Sequence, residues 1–161
     1  MRYLPWVVAA GVGFLAVSAV GMAATESGAP KPVYMPSTND LMQEVIQPRH
    51  QKLWLAGQSQ NWALAEYERH NLAGAFKRFE TAMPTQHGKP TDPLVMGFIT
   101  PGLVDLETAI KAKNEAAFVQ AYQALTTGCN GCHQATGQDL VKIVTPTGNP
   151  FPDQDFSASA H

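Results

Sequence analysis

From Asn39 to His133, apolar residues return every three or four positions, and no stretch alternates β-branched and polar side chains as a half-buried strand would. That period restricts the folded part to helices, and local punctuation divides it into four. Ser37 or Asn39 caps the first, which carries Met42, Val45, Ile46, Arg49, Leu53 and Ala56 on one side. Pro48 lies inside it and predicts a kink or two short segments, because a proline has no amide for the carbonyl of Glu44. Gly57 is a plausible end. Asn61 caps the second helix, with Ala65, Leu72, Ala75, Phe76, Phe79 and Met83 inward and Pro84 as its stop. A loop over 84–92 leads to a third helix, weakly begun at Pro93, more firmly begun at Thr100 as a cap with Pro101 at the first helical position, and ending near Lys113. Asn114 caps the fourth. The expected fold is all-α: an antiparallel four-helix bundle.

The ends of the chain read differently. Residues 1–24 open with Arg2 and an unbroken apolar run from Leu4 to Val20 closed by small residues, the pattern of an export signal, either cleaved or retained as an anchor. Residues 25–38 are a Pro, Ser and Thr-rich linker, 39–137 the helical domain, and 138–161 an extended tail in which Pro146, Pro150 and Pro152 forbid a long helix. Eleven Lys and Arg against thirteen Asp and Glu give a net charge of −2. No basic cluster is present to neutralise phosphates, which argues against nucleic acid as a partner.

The last helical stripe runs Phe118, Ala121, Tyr122, Leu125, Cys129, Cys132, so both sulfurs face inward. These are the only cysteines in the chain, and "GCNGCH" places His133 directly after the second. C-x-x-C-H is the attachment signature of a c-type haem: two thiols one helical turn apart bond the vinyl groups, and the next residue brings an imidazole to the iron. Gly128 and Gly131 flank the cysteines, and their missing side chains would let a flat group approach the backbone. A disulfide would be strained and leave His133 without a role. Zinc needs four ligands, and no second Cys or His pair has metal spacing. A thioredoxin-like dithiol opens a helix after a strand, whereas this motif closes one.

A C-x-x-C-H at the end of the last of four helices, preceded by "KNEAAFVQAYQALTTGC", resembles the cytochrome c′ group, and "VIQPRHQKLW" is similar to that group's first-helix stretch. The resemblance covers about 95 residues, 39–133. It implies one covalent haem c on Cys129 and Cys132 with His133 as proximal ligand, Arg49 holding a haem propionate, and Leu53 over the open face of the iron. It also implies a homodimer through the first two helices. Thr136 and Gly137 stand where the group carries a basic or aromatic residue, and the proline-rich tail has no counterpart there.

What lies on the sixth position of the iron decides the function. His50, His70, His87, Met42, Met83 and Met96 are the available ligands. His50, next to Arg49, is a distal ligand or a propionate contact at the edge of the helix face; the methionines at 42 and 83 fall in core stripes. Tyr67, Phe76, Phe79, Phe118 and Tyr122 would wall a porphyrin. The expectation is a periplasmic monohaem cytochrome that transfers single electrons between redox partner proteins, touching a membrane only through an uncleaved signal. The alternative is a five-coordinate haem protein that binds nitric oxide or carbon monoxide. No paired carboxylates, activated serine or phosphate loop supports an enzyme.

Overall fold

The computed structural model describes residues 34–158. The expected export signal over residues 1–24 and residues 25–33 of the expected linker lie outside this range, as do 159–161. The described residues are all-α with four helical segments, as the apolar period predicts. The first is composite: α1 (Thr38–Asp40), a π-helical segment (Leu41–Ile46) and α2 (Gln47–Gln58). The second is α3 (Trp62–Ala82), the third is divided into α4 (Thr91–Phe98) and α5 (Thr100–Lys111), and the fourth is α6 (Glu115–Ala135). α2 packs on α3, α5 on α6, and α3 on α5.

Three of the four expected caps are present, whereas Thr100 is the first residue of α5, with Ile99 at the cap position, and its hydroxyl donates back to Val95 O. Ser37 accepts from Asp40 N in a reciprocal capping box, Asn61 accepts from Leu64 N, and Asn114 from Ala117 N. The division of the third segment falls at Ile99, with Thr100 and Pro101 opening α5. Two connections are near copies. Gln60 (φ 54°) and Lys113 (φ 51°) take the left-handed conformation. Around them Asn61 N donates to Ala56 O and Gln60 N to Gly57 O, while Asn114 N donates to Ala109 O and Lys113 N to Ile110 O. Each is a Schellman motif whose last residue is also the cap of the next helix, so one asparagine closes two helix ends and the chain reverses within three residues.

Pro48 produces a register change. Gln47 N donates to Met42 O, five residues back, so the turn before the proline is widened. This rotates the inward face: His50, Leu53, Ala56 and Gly57 are buried in α2, while Arg49 is displaced to the flank. The 84–92 loop contains a minimal antiparallel hairpin, β1 (Thr85–Gln86) with β2 (Lys89–Pro90), turned by His87 (φ 47°) and Gly88 (φ 78°). Positive φ at both turn residues is the geometry that suits strand twist.

The core holds Leu53, Ala56, Ala65, Leu72, Leu106, Phe118, Tyr122 and Leu125 at 1% exposure or less. Trp54 and Trp62 pack on its edge, against Phe118 and Tyr122. The cysteine-flanking glycines serve helix contact. A Cβ on Gly128 would sit 1.9 Å from Phe98 O, and one on Gly131 would sit 2.8 Å from the Phe98 ring, so both are spent on the close approach of α4 rather than on a flat ligand.

Candidate functional site

A cavity of about 300 Å³ lies between the first helical segment and the end of α6. Met42, Ile46 and His50 line it from one element, Cys129, Cys132 and His133 from the other. Phe76, Phe79, Val95 and Ile99 extend the apolar wall, while Asn39, Gln43, Gln47, Gln86 and Gln138 give neutral amides. Cys129 and Cys132 are free thiols. Burial, with a smaller contribution from Cys132, pushes the Cys129 thiol up to about 12, and burial raises Cys132 as well. Neutral thiols of this kind are not reactive thiolates, which disfavours a dithiol redox role.

His133 is partly buried and held by one contact. Its Nδ1 lies 2.7 Å from the carbonyl of Val141. A carbonyl only accepts, so Nδ1 carries the proton and Nε2 keeps its lone pair, the arrangement that prepares a histidine for a metal. Local structure brings Val141 there. Gly137 (φ 72°) ends α6 in a third Schellman motif, with Gln138 N donating to His133 O at 2.7 Å and Gly137 N to Gln134 O. The reversed chain is then clamped: Asn130 Nδ2 donates to Ile143 O at 2.9 Å and Ile143 N to Asn130 Oδ1 at 2.8 Å. Farther on, Phe156 is buried, Lys52 Nζ lies 4.7 Å from the Phe151 ring centroid, and Asn61 donates to Ser157 O.

His50 is 3% exposed, not at the half-exposed edge that a regular helix predicts, because the π-helical turn swings it inward. Both ring nitrogens are engaged by α6: Nδ1 lies 2.9 Å from Tyr122 Oη and Nε2 3.0 Å from Thr126 Oγ1. Tyr122 Oη also reaches His50 O, and Thr126 Oγ1 reaches Tyr122 O, both at 2.9 Å. Burial lowers the imidazole pKa to about 4. With both hydroxyls donating to backbone carbonyls, the neutral ring has one proton for its two contacts, so one ring nitrogen donates and the other faces a hydroxyl oxygen across the same packed seam.

Arg49 and Leu53 do not line the cavity. Arg49 donates from Nη1 to Val45 O at 2.6 Å, and its charge, with that of Lys52, opposes the upward shift that burial gives Glu68 of α3. Leu53 is wholly inside the core. The register change accounts for both: Met42, Ile46 and His50 take the cavity wall. Among the aromatics expected there, Phe76 and Phe79 line it, Phe118 and Tyr122 lie in the core, and Tyr67 is 61% exposed. His87 lines the cavity from the hairpin turn with Nε2 3.0 Å from Gln138 Nε2. Sequence reading passed over Val141, Asn130, Thr126 and Gln138; the two asparagine bonds and the carbonyl contact join residues 8 or 13 apart across irregular chain, which no periodicity reports.

Among the described residues, no three His, Cys, Asp or Glu side chains gather as a site for a bare metal ion. Compared with family models, curated proteins and solved structures, the chain matches none.

Proposed function

We propose that this chain is a monohaem c-type cytochrome whose work is single-electron transfer between redox partner proteins in the periplasm. The observation that carries the reading is His133, its Nδ1 proton committed to Val141 O and its Nε2 lone pair left available, beside two unbridged thiols on the wall of one apolar cavity. The donor set fits a haem c and not a bare ion, because a single imidazole and two neutral thiols cannot complete a zinc shell. When bound, a haem supplies a one-electron iron couple whose potential follows axial ligation, hydrogen bonding and burial.

The chain's own residues then have distinct tasks. Cys129 and Cys132 are the covalent anchors, and His133 is the proximal ligand held in orientation by Val141. Phe76, Phe79, Val95 and Ile99 exclude water from the cavity interior. Asn39, Gln43 and Gln47 offer amide donors to haem carboxylates, a task for which Arg49 is turned away. The apolar N-terminal run of residues 1–24 fits export, which thioether attachment in the periplasm requires. No catalytic residue is assigned. A pyridine haemochrome spectrum of the exported protein tests the reading: the band position of a bis-thioether haem, with colour retained through acid acetone extraction, supports it, and colour that washes out overturns it.

A further inference from the structure

We infer that Met42 is the sixth ligand, its thioether sulfur completing a His/Met axial pair with His133. The inference rests on the c-type reading and goes beyond it, since an apolar residue over the iron would leave a gas-binding site and a methionine closes it.

Elimination among the cavity residues leads to Met42. His50 is buried with its ring turned to α6, Nδ1 2.9 Å from Tyr122 Oη and Nε2 3.0 Å from Thr126 Oγ1, and turning it to an iron would give up both contacts and its place in the core. His87 lies on the exposed hairpin turn and not on the helical element that faces α6, with Nε2 3.0 Å from Gln138 Nε2. Met83 and Met96 do not line the cavity, and Met96 is 61% exposed. Met42 is partly buried on the cavity wall contributed by the element facing α6, and its thioether sulfur is an axial ligand that haem iron accepts.

Backbone geometry gives an independent reason. Met42 lies in the π-helical segment Leu41–Ile46, and its carbonyl receives the Gln47 amide. The sequence needs only a break at Pro48, yet the chain keeps a continuous, widened helix that brings Met42, Ile46 and His50 to the cavity in one row. π-Helical turns recur at functional sites because they re-aim side chains without ending the helix.

The test uses the full chain exported with its haem attached, as wild type, Met42→Leu, Met42→His and Met96→Leu. Leucine conserves volume, so folding is expected to survive. The expected result is a low-spin ferric wild type with the weak long-wavelength sulfur-to-iron charge-transfer band. That band is lost in both Met42 variants and kept in Met96→Leu. Met42→Leu becomes high-spin and its ferrous form binds carbon monoxide promptly, whereas Met42→His stays low-spin. A haem-loaded wild type that is already high-spin, or a band that persists in Met42→Leu, overturns the inference alone. Haem missing from every variant overturns the c-type reading and this inference with it.

Discussion

His133 Nδ1 and Val141 O lie 2.7 Å apart, joining the last turn of α6 to the chain that leaves it. Irregular structure thereby sets the tautomer of a helical residue. The contact exists because Gly137 reverses the chain and Asn130 clamps it, so the imidazole is only as well oriented as the segment from 138 to 143.

Replacing Asn130 by alanine removes two hydrogen bonds to Ile143 and is expected to destabilise the fold by about 1–3 kcal/mol. Denaturant unfolding measures the loss. Proteolysis within 138–158 should quicken by a larger factor than global unfolding accounts for, since the clamp is local.

The two cysteine-flanking glycines should behave differently. At Gly128 an added Cβ meets a backbone carbonyl at 1.9 Å, whereas at Gly131 it meets a side-chain ring at 2.8 Å. Gly128→Ala is therefore expected to cost about 3 kcal/mol or more, and Gly131→Ala on the order of 1 kcal/mol, because a ring can rotate and a helix backbone cannot. Equal thermal midpoints for the two variants would contradict this.

Gln60 and Lys113 hold left-handed conformations at φ 54° and φ 51°. Gln60→Gly and Lys113→Gly should each stabilise the protein by about 0.5–1 kcal/mol, since relief of backbone strain outweighs the added freedom of the unfolded chain. Gly137→Ala, at φ 72°, should do the reverse and loosen the segment that carries Val141. Thermal unfolding of the three variants checks the signs.

His50 makes stability depend on pH. Its folded pKa of about 4 lies below the ordinary histidine value of 6.5, so the unfolded chain takes up the proton first. Stability from the neutral ring is complete above pH 6.5 and falls as pH drops toward 4, by an amount on the order of 3 kcal/mol at 1.36 kcal/mol per unit. Glu68, whose carboxyl pKa is raised by burial, acts in the opposite sense. The difference between wild type and His50→Gln therefore isolates the histidine: its slope between pH 6.5 and 4 should be lost in the variant.

Local signals in the sequence were sufficient for the helices. Asn61 and Asn114 cap within three residues of themselves, and Thr100 with Pro101 restarts the third segment, so each is visible without tertiary structure. C-x-x-C-H was equally plain, because its spacing is one helical turn. What escaped was phase. Pro48 announces a break, but whether the helix bends or widens depends on packing, and the π-helical outcome moves Arg49 off the cavity and His50 onto it. Gly128 and Gly131 look open beside the motif, yet their space belongs to Phe98, distant in sequence on α4. The Val141 contact was hidden for a related reason: a carbonyl has no sequence identity.

Covalent attachment through Cys129 and Cys132 is the claim on which the rest depends, and denaturing mass spectrometry of the exported protein addresses it directly. The expected spectrum shows the polypeptide heavier by one haem, with the added mass on the peptide containing residues 129–133 and lost in Cys129→Ser/Cys132→Ser. A bare polypeptide with two free thiols or a disulfide, made where c-type maturation operates, would contradict the account.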